Sequence, residues 1–142
     1  MSIGNLTINL KGISRNWTAL DQLSAKKVET AAVVKADGYG LDAGRVAQAL
    51  YQAGVRQFFV AAAEEAAAIR MEITEDVNIF VFSGHMRGDT EIIHDLNLIP
   101  LLNSFNQLTR HVETLPGHPF GVQLDTGMNR LGMEPSEWDA VR

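Results

Sequence analysis

Short apolar runs alternate with helical stretches along almost the whole of this chain, and that alternation limits its fold more than any other feature. Runs at 31–35, 57–61, 77–82, 98–102 and 120–125 read as strands, the fourth interrupted by Pro100. Between them lie helical segments. Asp42 caps one whose apolar side includes Val46, Ala49 and Leu50, and Gly54 ends it. The segment 62–70 is rich in alanine and glutamate, both strong helix formers. Further helices are predicted over 88–96, over 103–115 before Pro116-Gly117, and from Pro135 onward. At the N-terminus, Leu6, Ile8 and Leu10 alternate with Asn5, Thr7 and Asn9, which predicts a half-buried strand; Ser14 then reads as a helix cap, with Trp17, Leu20 and Leu23 at helical spacing.

Strands separated by helices imply βαβ units and a parallel sheet. An open doubly wound sheet and part of a (β/α)8 barrel both satisfy the pattern. A complete barrel needs about 250 residues, so 142 residues hold only part of one. The chain also stops at Arg142 just as a helix begins, and a fragment is the expectation.

The hydrophobic fraction of 46% and charged fraction of 20% are those of a soluble globular protein. A net charge of −5 without any Lys/Arg cluster argues against a nucleic-acid partner. The absence of cysteine removes disulfide and thiolate chemistry and makes a cytoplasmic location the default. The N-terminus is too polar for a signal peptide, and no apolar run approaches the roughly 20 residues of a membrane span, so no membrane partner is expected. His85, His94, His111 and His118 lack metal-ligand spacing, so no metal is expected, and His85 reads as a loop histidine. Glu64 and Glu65 open a helix, where the dipole favours negative charge. Neither a nucleotide-binding glycine fingerprint nor a Gly-x-Ser-x-Gly hydrolase motif occurs.

Two segments carry chemistry. In Val33-Val34-Lys35-Ala36-Asp37-Gly38-Tyr39-Gly40 a lysine ends an apolar strand, at the side of a parallel sheet where ligands bind. A desolvated lysine amine is a nucleophile suited to Schiff-base formation. The flanking glycines let the backbone turn sharply and free Tyr39 to project, its hydroxyl able to donate to an anion. In Asp125-Thr126-Gly127-Met128-Asn129-Arg130-Leu131-Gly132 a glycine-rich loop presents an arginine, suited to a carboxylate or phenolate oxygen. Taken singly, a surface lysine and a solvated arginine are the commoner explanations. Taken together, the two loops fall at the same end of one sheet.

These segments resemble the cofactor-lysine motif and the second barrel signature of the alanine racemase family, fold-type III pyridoxal-phosphate enzymes. Their spacing and the order of strands and helices fit as well, so the resemblance covers essentially all of the chain. It implies a partial (β/α)8 barrel of about five parallel strands. Residues 1–12 would form a strand pairing with a missing C-terminal β-domain, and 13–142 the first part of the cofactor-binding barrel. Lys35 would hold pyridoxal 5'-phosphate and be the catalytic base on the face presented by D-alanine. Tyr39 would hydrogen-bond the cofactor phosphate, and Arg130 would contact the phenolic oxygen and orient the substrate carboxylate; Met128 would lie at the substrate side. The parent enzyme would be a dimer interconverting L- and D-alanine for peptidoglycan synthesis. Two departures stand out: Leu41 where many members have histidine, and Gln123 where many have a lysine that steadies the arginine. Glutamine could still accept a hydrogen bond from Arg130. The opposite-face tyrosine has no counterpart, because the chain has only Tyr39 and Tyr51. Alternatives are a racemase of serine or lysine in the same family, or a non-catalytic barrel fragment that self-associates through open sheet edges.

Overall fold

The computed structural model describes residues 4–73 and 76–141. Helix α1 (Leu10–Asp21) comes first, followed by β1 (Ala32–Val33), a single turn α2 (Lys35–Gly40) and α3 (Ala43–Ala53). Then come β2 (Gln57–Val60), a 3-10 turn at Ala63–Glu65, α4 (Ala66–Glu72), β3 (Asn78–Val81) and α5 (Thr90–Asp95). The chain continues through β4 (Ile99–Leu102), α6 (Phe105–Thr114), β5 (Gly121–Val122) and α7 (Pro135–Val141). All neighbouring strands pair in parallel, and their spatial order is the order of the sequence, β1-β2-β3-β4-β5. A doubly wound sheet reverses its strand order at a switch point. The monotonic order here is that of a (β/α) barrel, with helices on one side only.

Alternation along each strand separates two faces. Phe58 and Val60 of β2 and Ile79 and Val81 of β3 are fully buried. They form the main core with Ala47 and Leu50 of α3, Ile69 of α4 and Ile93 of α5. The other set faces the concave side. There Phe59 stacks on Phe80 at 4.7 Å and on Phe82 at 5.2 Å between ring centroids. The strands are therefore sealed by helices on one face, and the concave face is only half-buried.

Helix starts follow their caps. Asp42 accepts from the Arg45 N–H at 3.1 Å and Gly54 ends α3 in the left-handed region, as the sequence predicts. Ser104 accepts from the Gln107 N–H and opens α6. At the N-terminus the expected cap is corrected, from Ser14 to Asn9. Residues 4–9 pair with no strand among the described residues, and α1 begins at Leu10 under an Asn9 cap that accepts from the Gly12 N–H at 2.9 Å. Ser14 lies inside the helix, its hydroxyl donating to the Ala49 carbonyl. Trp17 packs on the core and its indole N–H donates to Thr30 O, whereas Leu20 and Leu23 point to solvent. Alternating polarity over six residues cannot distinguish a strand from a capped helix entry when no partner strand is available.

Candidate active site

Lys35 follows β1 after one residue, Val34, and the chain then makes one turn of left-handed helix. Ala36, Asp37, Gly38 and Tyr39 have φ between 51° and 61°. L-residues resist this conformation by about 1–2 kcal/mol each, so the turn depends on what fixes it. Three sets of contacts do so. The Gly38 N–H donates to Val34 O and the Leu41 N–H to Asp37 O, both at 3.0 Å. The Asp37 carboxylate accepts from the Ala43 N–H at 2.9 Å, tying the turn to α3. Gly38 is buried so closely on Ala43 that a Cβ would sit 3.2 Å from that residue's backbone. The turn throws Tyr39 outward, 62% exposed.

The arginine loop is built differently. It leaves the sheet after β5 and returns at Met133, which is buried and pairs with Leu124 in an isolated parallel bridge. The Asp125 N–H donates to Met133 O, and the Met133 N–H donates to Gln123 O. Within the loop, the Asp125 carboxylate accepts from the Gly127 and Asn129 N–H groups at 2.9 and 3.0 Å. Those backbone hydrogen bonds hold its pKa below the usual carboxylate value.

The two loops meet. Val33, Lys35, Tyr39, Ala61, Phe82, Ser83, Gln123, Arg130 and Leu131 line one cleft of about 520 Å³ at the carboxyl end of the sheet. A volume of that size accepts a small-molecule cofactor. The Lys35 ammonium lies over the Phe82 ring, 5.9 Å from its centroid. No carboxylate pairs with Lys35 or Arg130 among the described residues. The cleft therefore combines two uncompensated cations, a phenol hydroxyl and an aromatic face, which suits a flat anionic ligand. A larger cleft of about 670 Å³ lies between α1 and α3; Lys11, Arg15 and Arg45 line it, but no phenol and no aromatic face does, and Arg45 is paired with Asp42 at 3.4 Å.

Several expectations change. Gln123 and Arg130 share the cleft but are not hydrogen-bonded to each other among the described residues. Met128 is 72% exposed and lines none of it. Tyr51 lies outside the cleft, in keeping with the expectation, and donates to Asp76 at 2.9 Å. His85 is in a loop, as expected, but it is fully buried there, 3.1 Å from His111 between Nδ1 atoms. Glu65 does more than favour a helix dipole. Its carboxylate accepts from the Ala36 and Ala61 N–H groups, at 2.9 and 2.7 Å.

The family described as alanine racemase, N-terminal domain, matches residues 8–142. The chain belongs to the alanine racemase N-terminal domain family. Alanine racemase of Cereibacter sphaeroides is 60% identical over 99% of this chain and 40% of its own length. That of Dinoroseobacter shibae is also 60% identical over the same shares. Among solved structures, alanine racemase of Bartonella henselae with covalently bound pyridoxal phosphate superposes with a TM-score of 0.85. It is 37% identical and matches 94% of this chain and 38% of its own. Alanine racemase of E. faecalis gives 0.84 at 27% identity. The chain thus spans about 40% of the length of the alanine racemases it matches, and the fold it shares with them is their barrel domain.

Proposed function

We propose that these 142 residues are the first part of the barrel of a pyridoxal-phosphate-dependent alanine racemase, with residues 1–12 leading to a further β-domain. Convergence of Lys35, Tyr39 and Arg130 on one cleft is the observation that carries this reading. The donor set fits the cofactor: an amine for covalent attachment, a hydroxyl donor and a guanidinium for anionic oxygens, and the Phe82 face for the ring. When bound, pyridoxal phosphate withdraws electron density from the substrate Cα and so makes its proton removable.

The chain's own residues do the rest. Lys35 would hold the cofactor through its amine, and its Nζ would take or return the substrate Cα proton on one face. Tyr39 donates to the phosphate, and its 62% exposure leaves the hydroxyl accessible to that anion. Arg130 orients the substrate carboxylate and contacts the phenolic oxygen. Proton exchange on both faces needs a second acid/base. Tyr51 is engaged by Asp76 and lies outside the cleft, so the second group comes from beyond the described residues. The 142-residue chain alone is therefore inactive. The parent enzyme is a cytoplasmic dimer supplying D-alanine for peptidoglycan; among the described residues, no helix is long and apolar enough to cross a membrane.

Borohydride reduction of the full-length protein with cofactor, followed by peptide mapping, tests the assignment. The expected product carries the pyridoxyl label on Lys35 and has lost activity, and Lys35→Ala leaves no label and no racemisation. A label on another lysine refutes it.

A further inference from the structure

We propose that Glu65 is a positioning residue for Lys35, clamping the backbone from which the amine projects; this rests on the function proposed above. The 3-10 turn at Ala63–Glu65 follows β2, and Ala63 within it and Ala66 just after it are fully buried, so the Glu65 backbone has little freedom. Its side chain is half-buried and makes no ion pair among the described residues. Both carboxylate oxygens are used on backbone instead: Oε1 accepts from the Ala36 N–H at 2.9 Å and Oε2 from the Ala61 N–H at 2.7 Å.

The places of those donors give the clamp its meaning. Ala36 N belongs to the peptide plane that follows Lys35, so holding it fixes the Lys35 backbone and the direction of its Cα–Cβ bond. Ala61 follows β2 and is itself part of the cleft wall. One carboxylate therefore joins the ends of two adjacent strands where β1 and β2 pairing stops; the last pairing there is Val34 N–H to Phe59 O at 2.9 Å. It also sits at the entry of the left-handed turn, at Ala36, the first residue with positive φ. Asp37 and Gly38 secure the far side of that turn on α3. Glu65 secures the side that carries Lys35.

A carboxylate is the side chain this geometry demands. Two N–H donors converge on it, and an amide offers a single acceptor oxygen, its NH2 facing one of the donors. Glu65→Gln thus breaks one arm of the clamp while keeping side-chain volume, and Glu65→Ala breaks both. A misplacement near 1 Å lowers a reaction rate by about 10²-fold.

In the full-length protein without cofactor, E65Q should speed amide exchange at Ala36 or Ala61 by about tenfold, as loss of one such hydrogen bond implies. E65A should speed both. In the loaded enzyme, kcat for alanine should fall by about 10²-fold in E65A and less in E65Q, with KM little changed, because the substrate contacts remain. The pH profile of the cofactor's visible absorption should shift with kcat. Unchanged exchange and unchanged kcat in both variants overturn the clamp, as does loss of the native fold in E65Q, which would make Glu65 a folding residue. Borohydride labelling of the unsubstituted protein separates this from the parent reading: without a label on Lys35 the function itself fails, whereas with it only the role of Glu65 is in question.

Discussion

Gly132 closes the arginine loop where only glycine fits. Its φ is +107°, and a Cβ there would lie 2.6 Å from Asp125 N and 2.7 Å from Leu124 C, both backbone atoms that cannot step aside. Gly132→Ala therefore adds backbone strain to a backbone clash. We expect a loss of at least about 2 kcal/mol in the urea unfolding free energy. Release of Met133 from its pairing with Asp125 and Gln123 should accompany it, visible as faster amide exchange at Met133. Wild-type stability in this variant would contradict the loop geometry. Lys35, Tyr39 and Arg130 were legible as candidates in the sequence because their side-chain chemistry and short-range motifs are local, and the fold brings them to one cleft. Glu65 was not: its partners are backbone groups, one of them 29 residues away, and a backbone N–H leaves no mark in a sequence. The burial of His85 in its loop was not legible for a related reason. Its burial is created by α6, which brings His111 against it from 26 residues downstream.

That histidine pair makes an element-scale prediction, since it joins the segment after β3 to α6. The hydrogen bonds specify the protons. His111 Nε2–H donates to His118 O, so its Nδ1 is the acceptor; His85 Nδ1–H donates to it, and His85 Nε2 accepts from the Thr90 hydroxyl. A second proton on His111 would point N–H at N–H. Burial lowers both pKa values from 6.5; for His85 the neighbouring His111, Arg110 and, least, His118 reinforce this while Asp89 opposes it, and for His111 the hydrogen bond to His118 O opposes the burial more than the His118 charge adds to it. Below 6.5 the unfolded chain then binds protons that the folded chain refuses, so stability is lost as pH falls through that value. The urea midpoint should decline from pH 7.5 to about pH 5.5, the range spanned by a histidine reference value, and the decline should flatten in a His85→Gln, His111→Gln double variant. An equal slope in both proteins would rule the pair out as its source. Elements themselves were read well wherever a local stop or start signal existed: Asp42 and Gly54 bound α3, and the strand at 98–102 survives Pro100, which pairs with Val81. At the N-terminus the cap was misplaced, since Asn9, not Ser14, caps α1. The left-handed turn was foreshadowed only by Gly38 and Gly40; that Ala36, Asp37 and Tyr39 join them depends on contacts from α3 and the turn before α4.

At the scale of the whole molecule, sequential strand order settled what periodicity left open between a doubly wound sheet and a barrel. The same order leaves β1 and β5 each with a single neighbour. A parallel strand with one side unpaired presents a row of N–H and C=O groups to any chain that can dock there. The concave face adds apolar surface beside those edges, with Val33, Phe120, Leu124 and Leu131 all more than a third exposed. Polar backbone and apolar side chains are thus offered together, which is the combination that drives strand addition. The 142-residue polypeptide by itself should therefore associate with copies of itself at micromolar concentrations. Sedimentation velocity over a hundredfold dilution series should show species larger than 15.6 kDa that diminish on dilution. Val33→Lys places a charge on the β1 edge and should weaken that association while leaving the helix-sealed core, to which Val33 does not belong, intact by circular dichroism. A wild-type chain that stays monomeric throughout the series would mean that the edges are protected by the turns of the strands themselves, and that the concave face is stable in water without further barrel strands.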